Sequence, residues 1–505
     1  MNRTKSSIRN VAFTLGGAII TMLLQLINRR VFVNYLTSDY LGLNGLFSNI
    51  LSMLSLSEMG VGAAMVFALY KPVAEHDKEK IKSLMLMYKK FYTLIGCVVV
   101  GVGIFITPFI GIFIKEMPDI PYIHVYYIMY VLDTGLSYFY TYKRSLIICN
   151  RENYVSSLTT TLTAIITRLA QLLVLIFTHN YFFFLLAQVL LNRVENVVIS
   201  KIADKKYPYL LEKKIQPLSN EDKSQIKKNI FAMLAHKIGN VIVNGTDNII
   251  ISKILGLSVL GVFSNYNLLF STVNSIIVKV FNAVTSGIGN LVVEKEKDEV
   301  ESVFYKIFFV NFWIYGFSAV CFLCLLQPFV NLWLGNDYLL SDGAVWILTI
   351  VFYLNGMRCT ILGFRDATGI FYHDRYKALI EAFVNLVVSI PLTFFLGVTG
   401  VKLGTLISLL STSFWVEGYI LYKHYFKKSM KRYFMKQLQY AGILIIISIL
   451  TNQLCLAIEG SGIYAFGLKC LICLLVPNVF FLILFYRTQE FSYYKNIVLK
   501  ILKKK

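Results

Sequence analysis

Two adjacent arginines, Arg29 and Arg30, stand within LINRRVFVNYL (Leu26–Leu36), a stretch that otherwise has the composition of a membrane span. Each costs about 2.5–3.5 kcal/mol at the centre of a helix in lipid, so something polar or anionic must offset them. More ionisable side chains interrupt apolar stretches further on. The basic ones include Arg168, Arg193, Lys237, Lys253, Lys279 and Arg358; the acidic ones are Glu58, Asp133, Glu195, Asp247, Glu381 and Glu417. Such groups line ligand and ion pathways or pair with one another. A guanidinium meets phosphate oxygens through two parallel hydrogen bonds, which an ammonium cannot do. Arg29, Arg30, Arg168 and Arg358 are therefore candidates to hold an anionic, phosphate-bearing ligand. Asp247 and Asp133 are the candidate cavity or coupling acids, because a carboxylate in a polar cavity can titrate or hold a cation. Plainer readings stay open. Arg30 and Lys253 lie near span ends and can snorkel, Glu381 and Glu417 lie toward span ends where water reaches, and Arg29 can neutralise Asp247.

The elements that must carry these residues are membrane helices. Of 505 residues, 56% are hydrophobic and 15% charged, well under the roughly 25% charged of soluble domains. Apolar stretches long enough to cross a bilayer recur along the chain, about fourteen in all. No cleavable signal peptide is expected, since the first span is too long and too polar for one. Basic residues crowd alternate loops, around Arg3–Arg9, Lys71–Lys82, Lys205–Lys228, Lys427–Arg432 and Lys503–Lys505. The positive-inside rule then places both termini in the cytoplasm. The net charge of +21 is mostly this topology signal, with attraction to anionic membrane lipids as a second use. It carries no nucleic-acid motif.

The fold class read from this pattern is an all-α polytopic membrane protein. Two parallel six-helix repeats are followed by two appended helices. The lobes are 1–203 and 229–423, separated by a charged cytoplasmic linker at 204–228. The appended helices fall within 437–486, and 487–505 is a basic amphipathic tail. The repeat shows when Asn10 is laid on Asn229: Leu15 then meets Leu234, Leu36 Leu255, Leu41 Leu260, Gly42 Gly261 and Ser52 Ser271. Parallel repeats of this kind hold their substrate between them. In the same frame Asn28-Arg29 overlays Asp247-Asn248, and Glu58 and Lys279 come to nearly equal heights, a candidate gate pair.

Nothing in the chain looks like an enzyme. No catalytic constellation emerges, and His236 is the only histidine well inside a span. Cys321-x-x-Cys324 and Cys470-x-x-Cys473 lie in spans, where this spacing marks one helix face; no metal set is expected from them. No phosphate-binding loop of the G-x-x-x-x-G-K type is present.

Three segments carry a resemblance. YLGLNGLFSNILSMLSLSEMGVGAAMVFALYKP (Tyr40–Pro72), TDNIIIS (Thr246–Ser252) and FRDATGIFYHDRYKALIEAFVNLVVSIPL (Phe364–Leu392) resemble polysaccharide repeat-unit flippases of Gram-positive type. These belong to the multidrug/oligosaccharidyl-lipid/polysaccharide exporter superfamily. The resemblance implies a flippase of the bacterial cytoplasmic membrane that moves undecaprenyl-diphosphate-linked oligosaccharide from the inner to the outer leaflet by alternating access. It implies a role in capsular or exopolysaccharide synthesis beside a polysaccharide polymerase. The family's N-R-x-V-F arginine falls on Arg29 and its T-D-N aspartate on Asp247; Arg30 has no counterpart in the motif. No cofactor is implied, and proton or sodium coupling is open. The alternatives are export of a peptidoglycan precursor or of cationic drugs, and, further off, a membrane polymerase.

Overall fold

The computed structural model describes residues 3–150, 152–212, 215–285, 288–370, 376–460 and 462–503. Residues 371–375, within the third resembling segment, lie outside them, as does the side chain of His236. All regular structure among the described residues is helical, as lipid requires of segments that must satisfy their own backbone groups. Nine of these segments are long and apolar enough to cross a bilayer, beginning with Gly16–Tyr35 and ending with Ile463–Phe485. The protein is a multi-pass membrane protein.

By its contacts the chain divides into two units, Met1–Ser264 and Asn265–Lys505. The first contains α1 (Arg3–Tyr35), α2 (Ser38–Leu54), α3 (Leu56–Ala74), α4 (Lys78–Ile106), α5 (Ile123–Cys149), α6 (Asn153–Thr178), α7 (Tyr181–Lys206) and α8 (Asn220–Ile250), and ends inside α9 (Leu257–Thr285). Here α1 packs on α6, α6 on α7, α7 on α5 and α5 on α4, while α8 packs on α2 and α3. Where α4 and α5 cross, a methyl group on Gly96 would stand 2.9 Å from the carbonyl oxygen of Gly135. Small residues at such crossings bring membrane helices together.

The expected span near 40–70 is in fact two helices, α2 and α3, interrupted at Ser55. Near 400–423 the chain likewise breaks at Thr412. The long helix α5 is not among the nine, and its polar residues Tyr130, Asp133 and Ser137 help to build the site.

The boundary between units falls within α9 and not in the charged segment after α7. That segment is fastened to the first unit. Lys82, buried, pairs with Glu212 at 2.7 Å; the Ser83 hydroxyl donates to the Gln216 carbonyl at 2.5 Å; Lys80 pairs with Asp222 at 3.1 Å.

The second unit continues from α9 through α10 (Ile288–Glu294), α11 (Lys297–Leu334), α12 (Asp342–Thr368), α13 (Lys377–Leu396), α14 (Val398–Ser411) and α15 (Ser413–Ile420). It closes with α16 (Lys431–Leu456), α17 (Ile463–Phe485) and α18 (Gln489–Lys503). An aromatic seam joins α16 and α17 to α11: Phe312 stacks on Tyr440 with ring centres 4.2 Å apart, and Phe309 meets Phe485 at 5.3 Å. At the foot of α18, Glu490 pairs with Lys436 at 2.8 Å.

Candidate functional site

Five helices of the first unit each bring a polar stripe to one space. On α1 it is Gln25, Asn28 and Arg29; on α2, Asn44, Ser48 and Ser52; on α5, Tyr130, Asp133 and Ser137. On α6 it is Thr167 and Arg168, beside Ala164, and on α7, Gln188, Asn192 and Glu195. Steps of three and four residues keep each set on one helix face. The stripes line two cavities of about 420 and 490 Å³, which share Ser48, Gln188, Asn192 and Glu195 as walls. Each is of the size that small-molecule sites occupy. Together they form one polar chamber.

Its two halves differ in charge. Arg29 and Arg168 line the first. The Arg29 guanidinium donates to the Ser264 hydroxyl at 3.3 Å, and that of Arg168 donates to Gln171 Oε1 at 3.0 Å. Amides fix the surroundings: Asn28, buried, donates to the Arg168 carbonyl at 3.2 Å, and Gln171 donates to Gln188 at 3.2 Å. Among the described residues neither arginine has a carboxylate within ion-pair distance. Two cations are thus held in place by neutral groups and keep their charge for something else.

The second half is acidic. Glu58 accepts from the hydroxyls of Tyr138 at 2.8 Å and Tyr92 at 3.3 Å. Tyr92 in turn accepts from Tyr88 at 3.3 Å. Asp133 accepts from Asn192 at 2.9 Å and lies 4.0 Å from the Arg193 guanidinium. Glu195 stands where the halves meet, paired with Arg144 at 2.6 Å and accepting from Thr160 at 2.9 Å.

Of the residues singled out in the sequence, Arg29, Arg168, Asp133 and Glu58 therefore come together in this chamber. Arg30 is exposed and is not among the lining residues. Asp247 is buried on α8 and is not among them either. Lys279 belongs to the second unit, where it is exposed. Arg358 also belongs to the second unit. Its guanidinium donates to both oxygens of Glu417, at 3.0 and 2.7 Å, and to Asn355 at 2.8 Å, with Glu381 at 3.9 Å. Lys377 joins Glu417 as well. Glu417 is fully buried and Glu381 nearly so, which corrects the expectation that water solvates them. Two cations and two carboxylates balance there, so Arg358 has its counter-ions already.

Sequence reading missed Arg144, Gln188, Asn192 and the tyrosines of α4 and α5. The stripe Gln188, Asn192, Glu195 was visible as a polar line on an apolar helix. No such line announced the tyrosines, whose rings also suit a core.

The profile of the family described as "Polysaccharide biosynthesis protein" matches residues 7–286. The chain belongs to that family. The match takes in every helix that lines the chamber. Among solved structures, the fold of this chain is similar to the lipid II flippase MurJ in an inward closed conformation, at 15% identity and a TM-score of 0.68, covering 94% of this chain and 99% of that one. It is also similar to an inward-facing multidrug resistance MATE family transporter of the MOP superfamily (17% identity, TM-score 0.59, 79% and 95% covered). A point mutant of the Vibrio cholerae MATE transporter VcmN gives 12% identity and a TM-score of 0.59, with 85% and 99% covered. These structures are of flippases and transporters, not enzymes. No curated protein matches the chain.

Proposed function

We propose that this polysaccharide biosynthesis protein is a flippase for undecaprenyl-diphosphate-linked oligosaccharide repeat units, carrying them from the inner to the outer leaflet of a bacterial cytoplasmic membrane by alternating access. The observation that carries this reading is the pair Arg29 and Arg168, two guanidinium groups with no carboxylate within ion-pair distance among the described residues, in a polar chamber inside an apolar helix bundle. A diphosphate supplies the missing charge, and guanidinium binds it through paired hydrogen bonds. The amide and hydroxyl walls suit a sugar, which needs many weak donors and acceptors, and the prenyl chain can stay in lipid. The product would feed a polysaccharide polymerase in capsule or exopolysaccharide synthesis. Asp133 and Glu58, in the acidic half, are the residues we assign to proton or sodium coupling, with Asp247 as a further coupling acid.

A peptidoglycan precursor is the second reading, favoured by the nearly complete coverage of the lipid II flippase MurJ. It shares the diphosphate and differs in the sugar. Depletion separates the two. Lipid-linked oligosaccharide that accumulates where an impermeant sugar-modifying reagent cannot reach it in intact cells supports the first reading. Accumulation of peptidoglycan precursor in its place supports the second. Unpolymerised units collecting on the outer face would overturn both and indicate a polymerase.

A further inference from the structure

Outside the chamber, the tightest gathering of side chains with ligand chemistry is on the seam where α16 and α17 meet α11. Cys324 of α11, Cys455 of α16 and Cys473 of α17 are all buried, and their sulfurs lie within 4.8 Å of one another. Those of Cys455 and Cys473 are 3.8 Å apart. The Cys455 thiol also faces the Lys469 carbonyl at 3.9 Å. Along the sequence, the pairs ending in Cys324 and Cys473 each mark only a helix face. Folding brings those two faces together and adds a thiol from a third helix.

We propose that Cys324, Cys455 and Cys473 form a site for one thiophilic divalent metal ion of the zinc class, which pins α16 and α17 to α11. Thiolate sulfur is the protein ligand best suited to such ions. Zinc–sulfur bonds of about 2.3 Å in a tetrahedron set neighbouring sulfurs about 3.8 Å apart, which is the separation already present between Cys455 and Cys473. A disulfide between those two requires a sulfur separation of about 2.05 Å and leaves the third thiol idle. Charge selects among thiophilic ions. Each ligating thiol gives up its proton, so three thiolates around a divalent ion carry a net charge of −1, and around monovalent copper −2. Lys469 lies one turn from Cys473 on α17 and supplies one positive charge, which balances the divalent case.

Cobalt(II) is the probe, added to the full-length protein purified in detergent with a phosphine reductant. The expected result is one equivalent bound, with sulfur-to-cobalt charge-transfer absorption of an intensity matching three thiolates, and displacement by zinc(II). Cys324→Ser and Cys473→Ser should abolish the absorption, while Cys97→Ser, an exposed cysteine of α4, should keep it. Zinc should also raise the unfolding temperature of the unaltered protein and leave that of Cys324→Ser unchanged. Absence of the charge-transfer band in the unaltered protein would overturn the site, a result that depends on no variant folding. So would a band that survives both seam variants, or a Cys455–Cys473 disulfide found by mass spectrometry in the protein as purified. Binding of copper(I) with no binding of cobalt or zinc would overturn the choice of ion.

Discussion

Gly42 and Gly261 make one contact twice. A methyl group placed on Gly42 would overlap the carbonyl oxygen of Leu257, and one on Gly261 would overlap that of Ser38. The repeat that lays Gly42 on Gly261 also lays Ser38 on Leu257, so the two halves of the contact are pseudo-equivalent. The first turns of α2 and α9 thus meet backbone to backbone, with the Ser38 and Ser258 hydroxyls 2.7 Å apart beside them. Only glycine permits this approach.

Two predictions come from that crossing. Cysteines introduced together at Ser38 and Ser258 should cross-link on mild oxidation, and transport should stop until a reductant restores it. Gly42→Val should abolish the cross-link by forcing the helix ends apart, at an overpacking cost of about 1–3 kcal/mol. Gel mobility of the oxidised double variant reads the first effect directly. A cross-link that forms but leaves transport intact would mean that this crossing never opens during the cycle.

Arg29→Ala should lose transport while the protein accumulates normally in the membrane. Losing a charge-assisted hydrogen-bonding partner is worth about 1.5–3 kcal/mol, or roughly 10- to 150-fold in apparent substrate affinity. Arg29→Lys should recover only part of it, because an ammonium lacks the paired donors. Arg168→Ala should behave in the same way, and Arg30→Ala should transport normally. Flux of labelled lipid-linked oligosaccharide into vesicles containing each variant checks all four.

In the second unit, Glu417→Gln leaves Arg358 and Lys377 buried with a single carboxylate between them. Breaking a buried pair from one side costs about 3–5 kcal/mol, so the unfolding temperature in detergent should fall sharply. Replacing Arg358 and Glu417 together by methionine removes one charge of each sign and should recover most of the loss. Equal melting of the single and double variants would show that the network does not act as a unit.

Acid should loosen the tether between the α5–α6 connection and the end of α7. Lys206, hydrogen-bonded to Glu152 at 2.8 Å, holds the Glu152 carboxyl below the usual carboxylate range. A depressed folded-state pKa contributes stability above the ordinary glutamate value of about 4.3, and that contribution fades as the pH falls through the depressed value. Thermal melts between neutral and acid pH should show the decline, and Lys206→Met should remove this part of it. The effect will be small, because both side chains are about one-third exposed.

Arg29 and Arg168 were legible in the sequence because each sits deep in an apolar stretch with no carboxylate three or four residues away. Arg30, the neighbour of Arg29, points about 100° away around the helix, and it is Arg29 that lines the cavity while Arg30 is exposed. The chamber itself was not legible, because its walls come from seven helices, α1, α2, α3, α5, α6, α7 and α9, and no local pattern says which stripes face each other. The Arg358 network was hidden for the same reason, its carboxylates lying on α13 and α15. Helical spacing told which cysteines share a face, but not that Cys455 would meet them.

The interruption at Ser55 divides the chamber's own wall. Asn44 and Ser48, which line the cationic half, ride on α2; Glu58, in the acidic half, rides on α3. Glu58, held by the Tyr138 hydroxyl at 2.8 Å, thus does not share a continuous helix with Asn44 and Ser48. The two proposed tasks, holding an anion and exchanging a small cation, therefore fall on different helices, with the joint at Ser55 between them.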